Sequence, residues 1–147
     1  MLTSLTDCVA DMSKVISFRL NGERLERLNR VARSMNRTPG EAAAILVEES
    51  LREREFPGLV FRDTGIGRQA FLRDTRLAVW HIISAATSVG QDVQALSVHF
   101  GVSPIDIATA LSYARTYQDE IDAAIRDNDA AFGRFAAQQP PEHVITV

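Results

Sequence analysis

The segment from Ser13 to Asn21 alternates apolar and polar side chains, and this pattern constrains the fold more than any other feature of the chain. Side chains that alternate in this way point to opposite faces of a β-strand. The next thirty residues have helical periodicity, so the strand has no nearby partner for its backbone N–H and C=O groups. The same strand of a second copy is the simplest partner, which predicts an antiparallel two-stranded ribbon.

The two faces of the predicted ribbon differ in chemistry. The outward face carries Val15, Ser17 and Arg19, next to Lys14. A two-stranded ribbon fits the major groove of DNA, so this face is a candidate DNA-binding surface. The inward face is apolar, and we expect it to form a dimer interface together with two residues of a following helix. The predicted interface residues are Ile16, Phe18, Leu20, Ile45 and Leu46.

Charge separates the beginning of the chain from the rest. The whole chain has a formal net charge of −3. Residues 13–40 contain seven basic and two acidic residues, a local charge of +5, whereas residues 56–147 contain seven basic and ten acidic residues. The first region therefore suits a polyanion and the second does not. A row of arginines at Arg24, Arg27, Arg30 and Arg33 is compatible with either a phosphate-binding face or an ordinary solvated face.

Two helices are predicted after the strand. Residues 22–35 have an apolar stripe, and the second helix starts with Thr38 as N-cap, Pro39 at the first position and Glu41 completing a capping box. Six consecutive apolar residues, Ala42–Val47, favour burial on several sides, for which a dimer supplies the cover. The polar end of this helix, Glu48–Glu55, is predicted to be solvated helix or linker.

A strand, a helix with a basic outer face and a capped apolar helix together resemble the ribbon-helix-helix family of dimeric DNA-binding proteins, over Lys14–Leu51. The resemblance implies an intertwined dimer with Val15, Ser17 and Arg19 as base readers. It also implies a phosphate clamp from the backbone at Thr38, Pro39 and Gly40. Val15 is apolar and suits only a thymine methyl, and Gly22 replaces the proline usual after the strand. An alternative is that the fold serves dimerisation alone.

A second domain is predicted after Phe56-Pro57-Gly58, which breaks the helix. Two short strands around Asp63–Gly67 form a hairpin, and helices follow at Leu77–Ser88, Val93–Phe100 and from Pro104 to about Tyr117. The last two, joined at Gly101, suggest a helix-turn-helix with the hairpin as a wing. Its third helix carries almost no basic charge, which favours protein contact or scaffolding over DNA contact. A further, acidic helix is predicted after it, at Asp119–Ala131.

Residues 68–80, together with Leu111–Ala114 and Asp119–Ile121, look like a winged-helix-like bacterial antitoxin domain that usually accompanies PIN-like toxins. The match spans roughly Phe56–Arg126 and is similar to the VapB-like type II antitoxins. Asp74 stands where the family usually has glycine, and aspartate tolerates a positive φ better than most residues do. The resemblance implies an antitoxin that binds operator DNA, autoregulates its operon and neutralises a PIN-like ribonuclease.

The predicted organisation is mainly α. It comprises a disordered leader (residues 1–12, with Met1 or Met12 as the start), a ribbon-helix-helix domain (13–55), a winged helix-turn-helix-like domain (56–131) and a flexible tail (132–147). The tail is interpreted either as waiting for a partner or as simply disordered. Phe132, Arg134 and Phe135 are candidate toxin-binding residues, because aromatic residues and arginine are common interface anchors and Arg134 suits an acidic nuclease site.

The sequence gives little support for enzyme activity, for a bound metal or cofactor, or for a membrane-spanning segment. The three histidines and the single cysteine lack metal-ligand spacing, and the acidic residues of 119–129 are more typical of a solvated helix than of a nuclease site. We therefore predict no enzyme activity, no metal and no cofactor. Without an apolar run of membrane-spanning length or a signal peptide, the predicted location is cytoplasmic. The alternative functions are a dimeric protein-interaction scaffold and a stand-alone repressor without a toxin.

Overall fold

A computed structural model describes residues 13–138, which form six helices and one two-stranded sheet. The helices are α1 (Gly22–Ser34), α2 (Pro39–Glu55), α3 (Val79–Val89), α4 (Val93–Phe100), α5 (Pro104–Thr116) and α6 (Gln118–Gln138). The strands are β1 (Leu59–Thr64) and β2 (Gly67–Leu72). The fold is mainly helical, as predicted. The predicted leader, residues 1–12, and residues 139–147 lie outside the described part of the chain.

The segment before α1 is not a strand. Residues 13–21 have no regular secondary structure, and the two strands of the described chain, β1 and β2, pair with each other. A strand requires a ladder of hydrogen bonds to a neighbour, and no segment within residues 13–138 supplies one for this segment. The predicted ribbon-helix-helix fold, with one strand before two helices, is therefore wrong: the structure has the two helices without the strand.

Side-chain caps explain where α1 and α2 begin. Asn21 accepts a hydrogen bond from the Arg24 N–H at 2.9 Å and thereby caps α1. Thr38 and Glu41 form the predicted capping box: the Thr38 hydroxyl accepts from the Glu41 N–H at 3.3 Å, and the Glu41 carboxylate accepts from the Thr38 N–H at 2.9 Å. These bonds satisfy N–H groups that have no partner inside the helix.

The hairpin and helices α3–α5 occupy the predicted places. β1 and β2 pair antiparallel from Leu59 opposite Leu72 to Thr64 opposite Gly67. The Asp92 side chain caps α4 by accepting from the Gln94 N–H at 3.1 Å, and Gly101 ends α4 in the left-handed conformation (φ 65°). α5 then begins at Pro104, so a helix, a glycine turn and a second helix follow one another as the sequence indicated.

The hydrophobic core belongs to residues 59–121. Its largest completely buried side chains are Tyr113, Leu59, Leu72, Ile82, Leu96, Ile107 and Val79, which come from both strands and from α3, α4 and α5. Tyr113 lies at the centre of an aromatic group, with the rings of Phe56 and Tyr117 at centroid distances of 5.2 and 4.8 Å. Ile121 of α6 closes the cluster from the other side.

α6 is longer than predicted. It was expected to end at Ala131, but it continues to Gln138, so the first half of the predicted flexible tail is helical. Its 21 residues span about 31 Å at 1.5 Å per residue. The first turns are anchored by Ile121, whereas residues 132–138 are all exposed. The helix therefore presents its C-terminal end to solvent.

Candidate functional site

An apolar groove runs along the N-terminal part of the chain. It has a volume of about 780 Å³ and lies between the segment before α1, α1 itself and the first half of α2. Ile16, Phe18 and Leu20 line it together, so the alternation read from the sequence does place these three side chains along one side. The opposite wall consists of Leu25 and Leu28 of α1 and Ala43, Ala44 and Val47 of α2.

The groove and its rim are exposed to an unusual degree. Val15 is 95% exposed, Ile16 87%, Phe18 62% and Val47 54%. Over residues 13–55, the buried hydrophobic residues are only Ala32 and Ala42. Two helices that bury two alanines have no core of their own, because folding requires apolar burial large enough to offset chain entropy. This surface is incomplete as it stands in the single chain.

The two predicted interface residues on α2 lie differently from those on the N-terminal segment. Ile45 and Leu46 are half-buried. Ile45 lines a separate cleft with Phe61 and Arg68, on the side of α2 that faces the hairpin. The helix residues along the groove are instead Ala43, Ala44 and Val47. Ala44 and Glu48 line both surfaces, so the groove and this cleft adjoin along α2. The role of Ile45 and Leu46 in a dimer interface stays a prediction.

The basic residues of this region form an open surface. Lys14, Arg19, Arg24, Arg27, Arg30, Arg33 and Arg37 are all exposed. Within residues 13–138, the ion pairs involve Glu48, Glu49, Arg52, Asp63, Arg68 and Glu120, so none of these seven basic residues is paired. Val15 and Ser17, the other predicted base readers, are exposed beside them. The positive charge of this region is therefore free to meet an external anion.

The predicted phosphate clamp at Thr38, Pro39 and Gly40 is partly occupied by the protein itself. The Thr38 N–H donates to the Glu41 carboxylate, and this bond together with the one from the Thr38 side chain lowers the pKa of Glu41. Pro39 has no N–H group. Among the described residues, the Gly40 N–H is the one donor of the three that remains unengaged. A phosphate could accept from the Gly40 N–H directly, but it would have to displace the Glu41 carboxylate to accept from the Thr38 N–H as well.

The second half of α2 is bound to the C-terminal region through Arg52. Its guanidinium donates to Glu48 at 2.8 Å, to Glu120 at 2.6 Å and to the Tyr113 hydroxyl at 3.0 Å, and it lies 3.8 Å from the centre of the Tyr117 ring. Tyr113 in turn donates to Glu120 at 2.6 Å. Burial lowers the pKa of Arg52, but the bonds to Glu48, Glu120 and Tyr113 outweigh it, so the pKa is raised overall.

A second ion pair joins α2 to the hairpin. Glu49 is only 8% exposed and accepts two hydrogen bonds from Arg68, one of them at 2.6 Å, and Arg68 also lies 3.1 Å from Asp63. Nearby, the Glu53 carboxylate accepts from the Phe61 N–H at 3.3 Å. The prediction that Glu48–Glu55 is solvated helix or linker is therefore wrong for Glu49, Arg52 and Glu53, which fasten this half of α2 to the hairpin, α5 and α6, whereas the other residues of the segment are exposed. We call these contacts the α2 junction.

The three predicted toxin-binding residues, Phe132, Arg134 and Phe135, lie on different faces at the end of α6. Phe132 is 71% exposed and Phe135 60% exposed. Residues three apart are neighbours on a helix surface, whereas residues two apart are not. Phe132 and Phe135 thus form one aromatic patch, and Arg134 points away from Phe132. Phe132, Arg134 and Phe135 are close in sequence but do not lie on a single face of the helix.

The helix-turn-helix of α4 and α5 exposes apolar side chains and little charge. Val98 is 83% exposed and Ile105 72% exposed, while α5 carries only Asp106 and Arg115 as charged residues. Within residues 13–138, no helix is both long and apolar enough to cross a membrane, and no three His, Cys, Asp or Glu side chains are grouped as a metal ion would require.

Comparison with protein-family models, with curated proteins and with solved structures finds no match for this chain. Of the surfaces described above, the sequence pointed to the basic residues and to Ile16, Phe18 and Leu20. It missed the α2 junction, because Arg52 and Glu120, like Glu49 and Arg68, are far apart along the chain and have no spacing that marks them as partners.

Proposed function

We propose that the chain is a dimeric DNA-binding antitoxin that binds operator DNA through residues 13–40, autoregulates its operon and neutralises a PIN-like ribonuclease through its C-terminal half. The observation that carries DNA binding is the set of seven exposed, unpaired basic residues beside an unclosed apolar groove. The antitoxin role depends on the resemblance of residues 56–126 to antitoxin domains.

The proposed dimer follows from the shape of the N-terminal surface. The groove is lined by Ile16 and Phe18, which remain largely exposed, and Val15 beside them is 95% exposed. An apolar surface of this kind is suited to a two-fold interface, in which the same surface of each copy covers that of the other. Covering this groove with a second copy would give residues 13–47 the core that two buried alanines do not provide.

Sedimentation velocity tests the dimer. The unmodified chain should sediment at twice the monomer mass, and Phe18→Asp should sediment as a monomer because a charge would lie in the apolar interface. Val98→Asp is the matched control: Val98 is 83% exposed on α4, outside the groove, so this variant should remain dimeric. A monomeric unmodified chain, or a dimer unaffected by Phe18→Asp, would contradict the proposal.

Salt dependence of duplex binding tests the DNA-binding role. Each phosphate contact contributes about −0.9 to the slope of log K against log salt concentration. Binding to the DNA upstream of the coding sequence should therefore weaken steeply with salt. Replacing Arg24, Arg27 and Arg30 together by Gln should reduce the slope by roughly 2 to 3 if these residues meet phosphates. A flat salt response would indicate that the basic surface is only solvated.

Base recognition is proposed for Arg19 and Ser17, with Lys14 as a phosphate contact. Arg19→Ala should lose about 1–3 kcal/mol of preference for operator over random DNA, the usual contribution of one good base contact. Lys14→Ala should weaken binding to both DNAs alike. Equal losses on both DNAs for Arg19→Ala would mean that Arg19 also meets only phosphate.

The toxin contact is proposed at the exposed end of α6. Phe132 and Phe135 form an aromatic patch at i and i+3, the arrangement by which an amphipathic helix fills a hydrophobic groove of a partner. The proposal requires that a toxin bound there leave the basic surface of residues 13–40 free for DNA. Arg134 faces elsewhere and is proposed to contribute separately, by meeting acidic residues of the toxin.

Neutralisation of the toxin from the neighbouring gene tests this contact. Phe132→Ser with Phe135→Ser should abolish inhibition of the ribonuclease and leave operator binding unchanged, as should deletion of residues 132–147. Arg134→Gln, tested alone, should weaken inhibition by a smaller factor. Full inhibition by the deletion variant would move the contact to residues 56–131.

A second candidate function, a dimeric scaffold that binds protein and no DNA, is favoured by one observation. Glu41 already occupies the N-terminus of α2, where a phosphate clamp was expected, and its negative charge opposes phosphate binding there. The salt slope separates the two functions, since a scaffold has none. A steep slope with no effect on any neighbouring ribonuclease would instead indicate a repressor without a toxin.

A further inference from the structure

A cleft of about 770 Å³ lies in the C-terminal region, between α3, the end of α4 and the loop that connects β2 to α3. Its walls include Arg76 from the loop, Trp80, His81 and Ser84 from α3, and His99 and Phe100 from α4. The cleft is wide and open to solvent, so a ligand bound there would remain partly exposed. Nothing in the antitoxin proposal uses this cleft.

The charge of the cleft is opposite to that of the region around it. Residues 56–147 have three more acidic than basic residues, but none of the described residues that line the cleft is acidic. Arg76 is the cation, and His81 and Ser84 add hydrogen-bond donors. Trp80 and Phe100 supply flat apolar surface. Such a set favours a ligand that combines one negative charge with an aromatic ring.

The loop that carries Arg76 is unusually well braced. Asp74 has a φ of 59°, a conformation that costs energy for a residue other than glycine. The Arg73 N–H donates to the Gly58 carbonyl at 2.8 Å, and the Thr75 hydroxyl donates to the Leu72 carbonyl at 2.9 Å. The Arg62 guanidinium donates to the Thr75 carbonyl at 2.6 Å. These bonds fix the backbone of the loop from which the exposed Arg76 side chain enters the lining of the cleft.

Two side chains of α3 in the cleft are held in place as well. The Trp80 indole N–H donates to the Gln69 side chain at 3.0 Å, which fixes the plane of the ring. His81 Nδ1 accepts from the Ala78 N–H at 3.3 Å, so the neutral imidazole carries its proton on Nε2. Burial lowers the pKa of His81, which keeps the ring neutral at pH 7. The Ser84 hydroxyl has no hydrogen-bond partner within residues 13–138.

We infer that this cleft binds a small aromatic carboxylate, whose charge pairs with Arg76 and whose ring lies against Phe100, beside the Trp80 ring that already contacts the His81 ring at a centroid distance of 3.7 Å. His81 Nε2–H and the Ser84 hydroxyl donate to the carboxylate. A carboxylate rather than a phosphate ester is assigned because the cleft offers a single permanent positive charge, which matches a monoanion. This inference does not depend on the proposed antitoxin function, and its test is separate.

Titration of the full-length chain with phenylacetate tests the inference. Trp80 is the only tryptophan, so its fluorescence reports on the cleft directly. Phenylacetate should give a saturable change in Trp80 emission, whereas phenylacetamide, which lacks the charge, and acetate, which lacks the ring, should each bind roughly tenfold more weakly or worse. Adenosine monophosphate tests whether the cleft prefers a phosphate to a carboxylate, and it should bind more weakly than phenylacetate.

Three variants localise the binding. Arg76→Gln should weaken phenylacetate roughly tenfold, the effect of losing one charge-assisted hydrogen bond. Arg73→Gln is the matched control, because Arg73 is an exposed arginine of the same loop that does not line the cleft, and it should bind as the unmodified chain does. Ser84→Leu should fill the cleft and abolish binding, with an unchanged melting temperature showing that the variant is folded.

The inference is overturned by any of four results. These are no saturable change with phenylacetate at millimolar concentrations, equal binding of phenylacetamide, equal weakening by Arg76→Gln and Arg73→Gln, or tighter binding of adenosine monophosphate than of phenylacetate. The last result would assign the cleft to a nucleotide.

Discussion

The two ends of α2 belong to regions that are built in opposite ways. The first half of the helix, with α1 and the preceding segment, buries two alanines and exposes Ile16, Phe18 and Val47. The second half is fastened to a region whose core contains Tyr113, Ile82 and other completely buried side chains. The first region therefore exposes an open apolar face with unpaired positive charge, which is the surface that the proposed partners would cover, whereas the second has a closed core.

The largest expected effect on the free energy of unfolding tests the difference between the two regions directly. Ile82 is completely buried on α3, so Ile82→Ala should reduce the free energy of unfolding by about 2–5 kcal/mol through lost burial and a residual cavity. Leu25, 45% exposed on α1, is the matched position in the open region, and Leu25→Ala should lose less than about 1 kcal/mol in dilute, monomeric protein. Urea unfolding measures both, and similar losses would mean that the two regions do not differ as described.

The next effect concerns the α2 junction, where the two regions meet. Glu49→Ala should reduce the free energy of unfolding by about 1–3 kcal/mol, because Arg68 would keep its partly buried charge with only Asp63 as partner. Glu55→Ala, at an exposed position of the same helix, is the control and should change little. If Glu49→Ala behaves like Glu55→Ala, the junction does not fasten α2.

A smaller effect, with a pH dependence, is expected at Tyr113. Tyr113→Phe removes the hydroxyl between Arg52 and Glu120 and should lose about 0.5–1.5 kcal/mol at neutral pH. Burial, and secondarily the bond to Glu120, raises the pKa of Tyr113 above its usual 10.0. The unfolded chain therefore ionises first, so the stabilisation is complete below pH 10 and declines as the pH rises above it.

Alkaline urea titrations compare the unmodified chain with Tyr113→Phe. The stability difference between them should narrow above pH 10. A difference that widens with pH would show that the folded protein ionises Tyr113 more readily than the unfolded chain does.

The smallest expected effect lies at His81. Burial lowers the pKa of this imidazole below 6.5, so the unfolded chain takes up the proton first and stability declines as the pH falls below 6.5. NMR titration of the His81 ring should give a pKa under 6.5. His81→Asn should remove this part of the acid sensitivity, and an acid response identical to that of the unmodified chain would exclude His81 as its source.

Much of the local structure was predictable from the sequence. Thr38 and Asp92 cap helices where their short polar side chains reach free N–H groups, and Gly101 ends α4 where a positive φ is required. Asp74 takes the positive φ that the comparison with glycine suggested. These features depend on residues within four positions of one another, so sequence spacing contains the information.

The errors concern features that depend on distant parts of the chain. Ser13–Asn21 has the alternation of a strand, but a strand forms only when another segment supplies hydrogen bonds, and no described segment does. The sequence also did not single out Ala43, Ala44 and Val47 as groove residues, since a run of six apolar residues is apolar all around the helix and indicates no particular face.

The sequence by itself determined the helices, the hairpin, the uneven charge and the side of the N-terminal segment on which Ile16, Phe18 and Leu20 lie. These properties follow from local periodicity, capping and composition. Only the tertiary structure decided that Arg52 meets Glu120, that Glu49 meets Arg68, and that Arg76 shares a cleft with Trp80 and His81. Such pairings arise from the packing of whole helices, and no spacing along the chain specifies them.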